Sequence, residues 1–103
     1  MNADLYYLHG VVTDANTQAH AVGAAAYTFT LTANHWYRIV STTLSHIRMG
    51  TAATGQDATA AASAILPANV PMMVRADSTN LYLSIIRNAA DGIATVTKML
   101  PGI

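Results

Sequence analysis

Four histidines, His9, His20, His35 and His46, are the metal or acid-base candidates of this chain. Ligands that share an ion from one element recur at i, i+2 on a strand or i, i+4 on a helix, so that both rings face the metal. No two of these histidines are spaced that way, and none has a carboxylate beside it in a motif. They read as scattered surface or interface residues, and no metal is expected. Ser41, Ser45, Ser63, Ser78 and Ser84 could supply a nucleophile, yet none sits in a Gly-x-Ser-x-Gly elbow that would lift its hydroxyl out of a sharp turn. Phosphate-cradling glycine loops are missing as well. Hydrolysis by paired carboxylates needs two acids facing across a cleft, and Asp77 and Asp91 both fall in turn-forming stretches, where a turn role is sufficient. With no cysteine, disulfides, thiolate catalysis and sulfur-ligated zinc drop out together. The sequence predicts no enzyme and no cofactor.

The arginines suggest contact rather than catalysis. Arg38, Arg48, Arg75 and Arg87 all fall within or at the ends of strand-patterned runs, while the chain has five acids, all aspartate, and a formal net charge of +0. A guanidinium fork bonds carboxylates or backbone carbonyls, and arginine is enriched where proteins meet. These four are therefore candidates for a subunit interface, against the alternative that each reaches from an edge strand into water. Adjacent Tyr6 and Tyr7 must point to opposite faces of a strand, so one ring needs a covering partner, and both join the list. Trp36 with Asn34 and His35 is the one nucleus on which a glycan could stack. No surplus of lysine and arginine exists to release counterions from phosphates, so nucleic acid is not an expected partner. The composition, 52% hydrophobic and 10% charged, falls well under the roughly 25% charge of an ordinary domain. Such a neutral chain suits a subunit covered by other subunits, and a homo-oligomer, with a trimer as first expectation, follows.

The elements that carry these residues repeat in twos. Tyr27-Thr28-Phe29-Thr30-Leu31-Thr32 places apolar residues on one face and threonines on the other, as a half-buried strand does. With Leu5 to Val12, His35 to Ser41, Leu44 to Met49, Val70 to Ala76, Leu81 to Arg87 and Ile93 to Met99, the runs predict an all-β antiparallel sandwich or barrel of about six to eight short strands. Residues 1–103 make one domain. Phe29, Leu31, Ile39, Ile47, Val74, Leu83, Ile85 and Val96 are its expected core, and Leu81 to Arg87, apolar on both faces, its central strand. Thr32 to His35, Asp77 to Asn80 and Asn88 to Gly92 read as hairpin loops, the last with Gly92 at positive φ, which makes the final three strands a meander. Residues 14–26 and 51–63 hold nothing large to bury and read as soft arm or loop segments that reach neighbouring subunits, with a helical turn capped by Asp57 as the alternative in the second. Each proline of Leu66-Pro67-Ala68-Asn69-Val70-Pro71 fixes φ and lacks a donor, so this stiff segment turns a corner between sheets. The amino terminus has no basic stretch before an apolar run, and the apolar region near 58–76 is broken by Pro67 and Pro71, so neither a secretory leader nor a membrane span is expected.

Over residues 35 to 99, Tyr37-Arg38-Ile39-Val40-Ser41, His46-Ile47-Arg48-Met49-Gly50, Ala64-Ile65-Leu66-Pro67-Ala68-Asn69-Val70-Pro71 and Asp91-Gly92-Ile93-Ala94-Thr95-Val96-Thr97-Lys98-Met99 follow one another. Their order resembles that of the motifs in small structural proteins of tailed bacteriophages. Lys98 departs from the acidic residue usual near the end of the last strand in those proteins, which puts a contact there in doubt. The resemblance implies a non-enzymatic virion component that resists pressure passively: a capsid decoration or cement subunit bound to the major capsid protein, or a minor head-tail component. It also implies assembly in the host cytoplasm and residence in the virion. The alternative is a ligand- or glycan-binding β module of a fibre or head-tail component.

Overall fold

The computed structural model describes residues 16–99. The run Leu5 to Val12, with Tyr6, Tyr7 and His9, lies outside the described residues, as do Asp14 and Ala15. Eight strands follow in order: β1 (Thr17–Val22), β2 (Tyr27–Thr30), β3 (His35–Ser41), β4 (Ser45–Gly50), β5 (Ala64–Leu66), β6 (Met72–Ala76), β7 (Tyr82–Arg87) and β8 (Gly92–Lys98). They form two four-stranded antiparallel sheets, β1-β8-β3-β6 and β2-β7-β4-β5. Pairing is nested: β4 with β5, β3 with β6, β2 with β7 and β1 with β8. The additional pairs β3·β8 and β4·β7 stitch these into sheets. This is the double-sheet order of a jelly roll, and the all-β sandwich expected from the alternation is what the chain forms.

Its wiring differs from the expected meander. Every connection between described strands crosses from one sheet to the other except the one from β4 to β5. Residues 31–34, 77–81 and 88–91 are thus sheet-to-sheet crossings, not hairpin loops, and the consecutive strands β6, β7 and β8 are not neighbours within a sheet. The segment around Pro67 and Pro71 does turn the corner between sheets. Thr17–Val22 is a strand paired along all six residues with β8, so this part of the 14–26 segment is not a soft arm, and 23–26 is the short crossing from β1 to β2. The crossings 23–26, 42–44, 67–71 and 88–91 gather at one end of the sandwich; the segments 31–34, 51–63 and 77–81 gather at the other.

Alternation explains the core. Phe29, Leu31, Ile39, Ile47, Leu83, Ile85 and Val96 are buried between the sheets, with Val74 packed partly buried against them. The central strand β7 runs between β2 and β4, as its two apolar faces require. At the three-residue crossing from β3 to β4 the inward positions are serines, and their polarity is satisfied locally. Ser45 Oγ donates to the Thr43 carbonyl (2.9 Å), Ser41 and Ser45 hydroxyls lie 3.0 Å apart, and Thr43 N donates to Ser41 Oγ (3.3 Å). A closed ring of buried hydroxyls costs little, whereas one orphaned member would cost a desolvated group.

Gly92 is needed for closeness and not for handedness. Its φ is not positive; the described positive-φ residues are Asn34 (62°), Asn69 (59°) and Gly55 (78°). The β8 backbone at Gly92 instead presses on the 42–44 crossing, where Thr42 Oγ1 accepts from Ile93 N (2.9 Å) and Thr42 N donates to the Ile93 carbonyl (3.0 Å).

Candidate interaction surfaces

All four arginine candidates lie on strands, as their sequence positions imply, but they do not converge. Arg38 on β3 and Arg75 on β6 share the outer face of the first sheet, where Arg38 stands opposite Met73 and Arg75 opposite Trp36. Arg48 projects from the outer face of the second sheet, across from Ser84. Arg87 closes β7 at the end of the sandwich and pairs with Asp91 within the chain. Such an exposed pair contributes about 0–1 kcal/mol and leaves Arg87 little reason to seek another acid. Arg38 and Arg48 are exposed and make no side-chain hydrogen bond or ion pair with another described residue. Asp77 is unavailable to them, since its Oδ1 accepts from Asn80 N (2.7 Å) and Thr79 N (2.8 Å) in its own turn. Those backbone donors, Asn80 first, hold its carboxyl well below the usual carboxylate range.

The segment 51–63 is not a passive loop. It lies over the outer face of the second sheet and is pinned there by groups from two strands, β4 and β7. Ala58 is 2% exposed, and its N donates to Ser84 Oγ on β7 (2.9 Å), so a serine on the outer face is buried beneath an alanine. Gln56 folds back, accepting from Thr51 N at Oε1 (2.7 Å) and donating from Nε2 to Thr51 Oγ1 (3.1 Å). It packs against Gly50 of β4, where any side chain would collide with it. Thr59 N donates to Ser63 Oγ (2.9 Å) and Ser63 N to the Thr59 carbonyl (3.0 Å), making one helical turn that starts at Thr59 and not at Asp57.

His46 completes the fastening. It is 6% exposed on β4, with Nδ1 donating to the Ser63 carbonyl (3.1 Å) and Nε2 donating to Asn88 Oδ1 (2.9 Å). Two oxygen acceptors favour the imidazolium, and the Asn88 amide oxygen, then the Ser63 carbonyl, raise its pKa above the ordinary value of 6.5, against the opposing effect of burial. His46 thus joins the 51–63 segment to the 88–91 crossing, a role that sequence spacing does not reveal because its partners are 17 and 42 residues away. His20 stacks on Tyr27 at 3.5 Å between ring centroids, and His35 Nδ1 donates to the Ala33 carbonyl (2.9 Å). Among the described residues no group of three His, Cys, Asp or Glu is placed to hold a metal ion.

The exposed large apolar side chains show the clearest asymmetry. Leu44, Ile65, Val70, Met73 and Ile93 are those among the described residues. Leu44 and Val70 lie in the crossings 42–44 and 67–71, Met73 and Ile93 are second residues of strands that start at that end, and Ile65 is the penultimate residue of a strand that finishes there. Hydrogen bonds from Asn69 N to the Ser41 carbonyl (2.7 Å) and from Thr42 N to the Ile93 carbonyl (3.0 Å) tie these segments together. The far end is made of Thr32, Asn34, Asp77, Ser78, Thr79 and the tip of 51–63, all polar or small. The sandwich is apolar at one end and polar at the other. Sequence alternation assigns faces and so could not show this gradient along the strands.

Of the glycan nucleus, Asn34 occupies the left-handed position of the 31–34 crossing and donates from its backbone N to the Ala76 carbonyl (2.7 Å), His35 Nδ1 donates to the Ala33 carbonyl, and Trp36 stands opposite Arg75 on the outer face of the first sheet. No helix among the described residues is long and apolar enough to cross a membrane. No protein-family model matches the chain, and no curated protein or solved structure matches it either.

Proposed function

We propose that this protein is a non-enzymatic structural subunit of a phage particle, a decoration or cement protein that binds the head shell and oligomerises on it. The reading is carried by the exposure of Leu44, Ile65, Val70, Met73 and Ile93 toward one end of the jelly roll, Leu44 and Val70 in its crossings, Met73 and Ile93 on the outer face of the first sheet and Ile65 on that of the second. Exposed apolar side chains concentrated in one region of a surface mark contact sites. Arg87 and Asp91 at this end pair with each other within the chain, which suits a largely apolar receiving surface, as a protein shell can offer and a phosphate backbone cannot. Arg38 on the flank of the sandwich is free to bond a neighbouring copy or a shell carboxylate. The subunit then works by holding shell proteins together in passive contact, which needs a stiff core and no turnover.

The experiment mixes the purified protein with phage shells that lack it, and compares Val70→Asp and Ile93→Asp with the native chain. Saturable, stoichiometric binding that each variant weakens at least about tenfold, roughly 1.4 kcal/mol, with unchanged melting of the free protein, is the expected result. Native protein that never saturates on shells, or variants that bind as well as the native chain, would overturn it.

A further inference from the structure

The outer face of the second sheet holds a site that the assembly reading does not use. Between the 51–63 segment and strands β4 and β5 lies an open pocket of about 390 Å³, lined by Ile47, Arg48, Asp57, Thr59, Ser63 and the alanines 62 and 64. This volume lies in the range of small-molecule sites, roughly 300–1,000 Å³. We propose that it binds a saccharide through a pair of neighbouring ring hydroxyls.

The walls are built before any ligand arrives. Arg48 stands opposite Ser84 on β7, and Ser84 Oγ holds Ala58 N, which puts Asp57 one residue from an anchor on the same face as Arg48. Gln56 on the other side of Asp57 is fastened to Thr51, and Ser63 at the far wall is fastened to His46. Asp57 is therefore held between fixed points. Yet Asp57 and Arg48 form no ion pair, and neither makes a side-chain hydrogen bond to another described residue. In a chain with just ten formal charges, an anion and a cation facing one pocket without meeting leave a gap between an acceptor-only group and a donor-only fork.

A diol has the chemistry to bridge such a pair. A sugar hydroxyl both donates and accepts, so one of two adjacent hydroxyls donates to the Asp57 carboxylate while its neighbour accepts from the Arg48 guanidinium. The Ser63 hydroxyl accepts from Thr59 N and keeps its own proton to donate, adding a third polar contact. The exposed alanines 62 and 64 are the small apolar groups of the lining that the C–H face of the ring would meet. Because the two charges cancel, an uncharged ligand enters without leaving either buried alone.

The test is independent of shell binding. Amide spectra of the ¹⁵N-labelled native protein are recorded during titration with the methyl glycosides of glucose, galactose, mannose and N-acetylglucosamine, and with glycine as the zwitterionic control. Saturable shifts confined to residues near 48 and 57–64 for at least one glycoside, lost in both Arg48→Ala and Asp57→Asn while the remaining peaks stay in place, are the expected outcome. Absence of saturable shifts with every glycoside, shifts that survive both substitutions, or saturation by glycine alone would each overturn the proposal. Asp57 is exposed and its replacement by asparagine keeps the shape, so loss of binding in that variant cannot be assigned to unfolding.

Discussion

Replacing Gly92 with alanine pits a small, usually favourable change against a tight contact. A glycine-to-alanine change at a compatible position stabilises by about 0.4–1 kcal/mol, because the unfolded chain loses freedom. Here the added Cβ would stand 2.6 Å from Thr42 Oγ1, 2.8 Å from Thr43 Cγ2 and 2.9 Å from Thr43 Cβ. Carbon atoms rest at about 3.5–4.0 Å, so something must give by roughly 0.7 Å. Neither threonine is free to move, since Thr42 Oγ1 accepts from Ile93 N (2.9 Å) and Thr43 Oγ1 donates to the Ala90 carbonyl (2.9 Å). Overpacking of this kind costs about 1–3 kcal/mol, and the net expectation is a loss of about 1–2 kcal/mol. Urea denaturation should show a lower midpoint with the slope unchanged, and the melting temperature should fall by about 4–8 °C per kcal/mol. Gly23→Ala is the matched control: its Cβ would meet Asp91 Oδ1 alone, at an ordinary 3.8 Å, so it should be neutral or slightly stabilising. If Gly92→Ala proves as stable as Gly23→Ala, the close approach of β8 to the 42–44 crossing is wrong.

Leu83→Ala, at a fully buried position of the central strand, should cost about 2–5 kcal/mol by denaturant titration; a loss under about half a kcal/mol would show that the inward face is misassigned. The raised pKa of His46 stabilises the fold fully below pH 6.5, and that contribution is lost as pH rises through its folded value. His46→Gln, which does not titrate, should therefore flatten the fall in melting temperature as pH rises above about 6.5; an unchanged slope would remove His46 as its source. Asp77 acts in the opposite sense, since its depressed pKa gives stability above 3.8 that is lost as pH falls below that value. Asp77→Ala should lose stability at neutral pH yet lose less on acidification than the native chain, and acid titration followed by circular dichroism would expose any failure of that ordering.

Alternation in Tyr27 to Thr32, His35 to Ser41 and Leu81 to Arg87 was enough to read strands, faces and most of the core, because a sheet with one buried face imposes period two directly on the side chains. It was silent on β1, where Gln18 and His20 take inward register positions at the margin of the sheet. Gln18 bonds the Thr30 carbonyl (2.9 Å) and His20 stacks on Tyr27, so polar groups close that side in place of apolar ones. It also could not separate a hairpin from a crossing. The three residues 42–44 would serve either, and the choice is made by which partner each strand finds far along the chain. The cover over the second sheet escaped for a related reason: Ala58 is buried by the bond from its backbone to Ser84, and backbone donors leave no trace in composition. The arginines were placed on strands correctly, while their dispersal over two faces and one end required the sheet order.

The nested pairing also dictates an order of assembly in time. The chain closes like a zipper whose innermost rung is β4 with β5 and whose outermost rung joins β1 to β8, strands separated by nearly the whole described length. During synthesis, β1 waits unpaired until Gly92–Lys98 has left the ribosome, and β3 lacks one of its two neighbours for as long. Loop closure across such spans must be met before the contacts that reward it, which places folding in the slow range of about milliseconds to seconds known for β sandwiches. Any truncation ahead of Gly92 removes the strand between β1 and β3, so the first sheet is acquired late and as a whole.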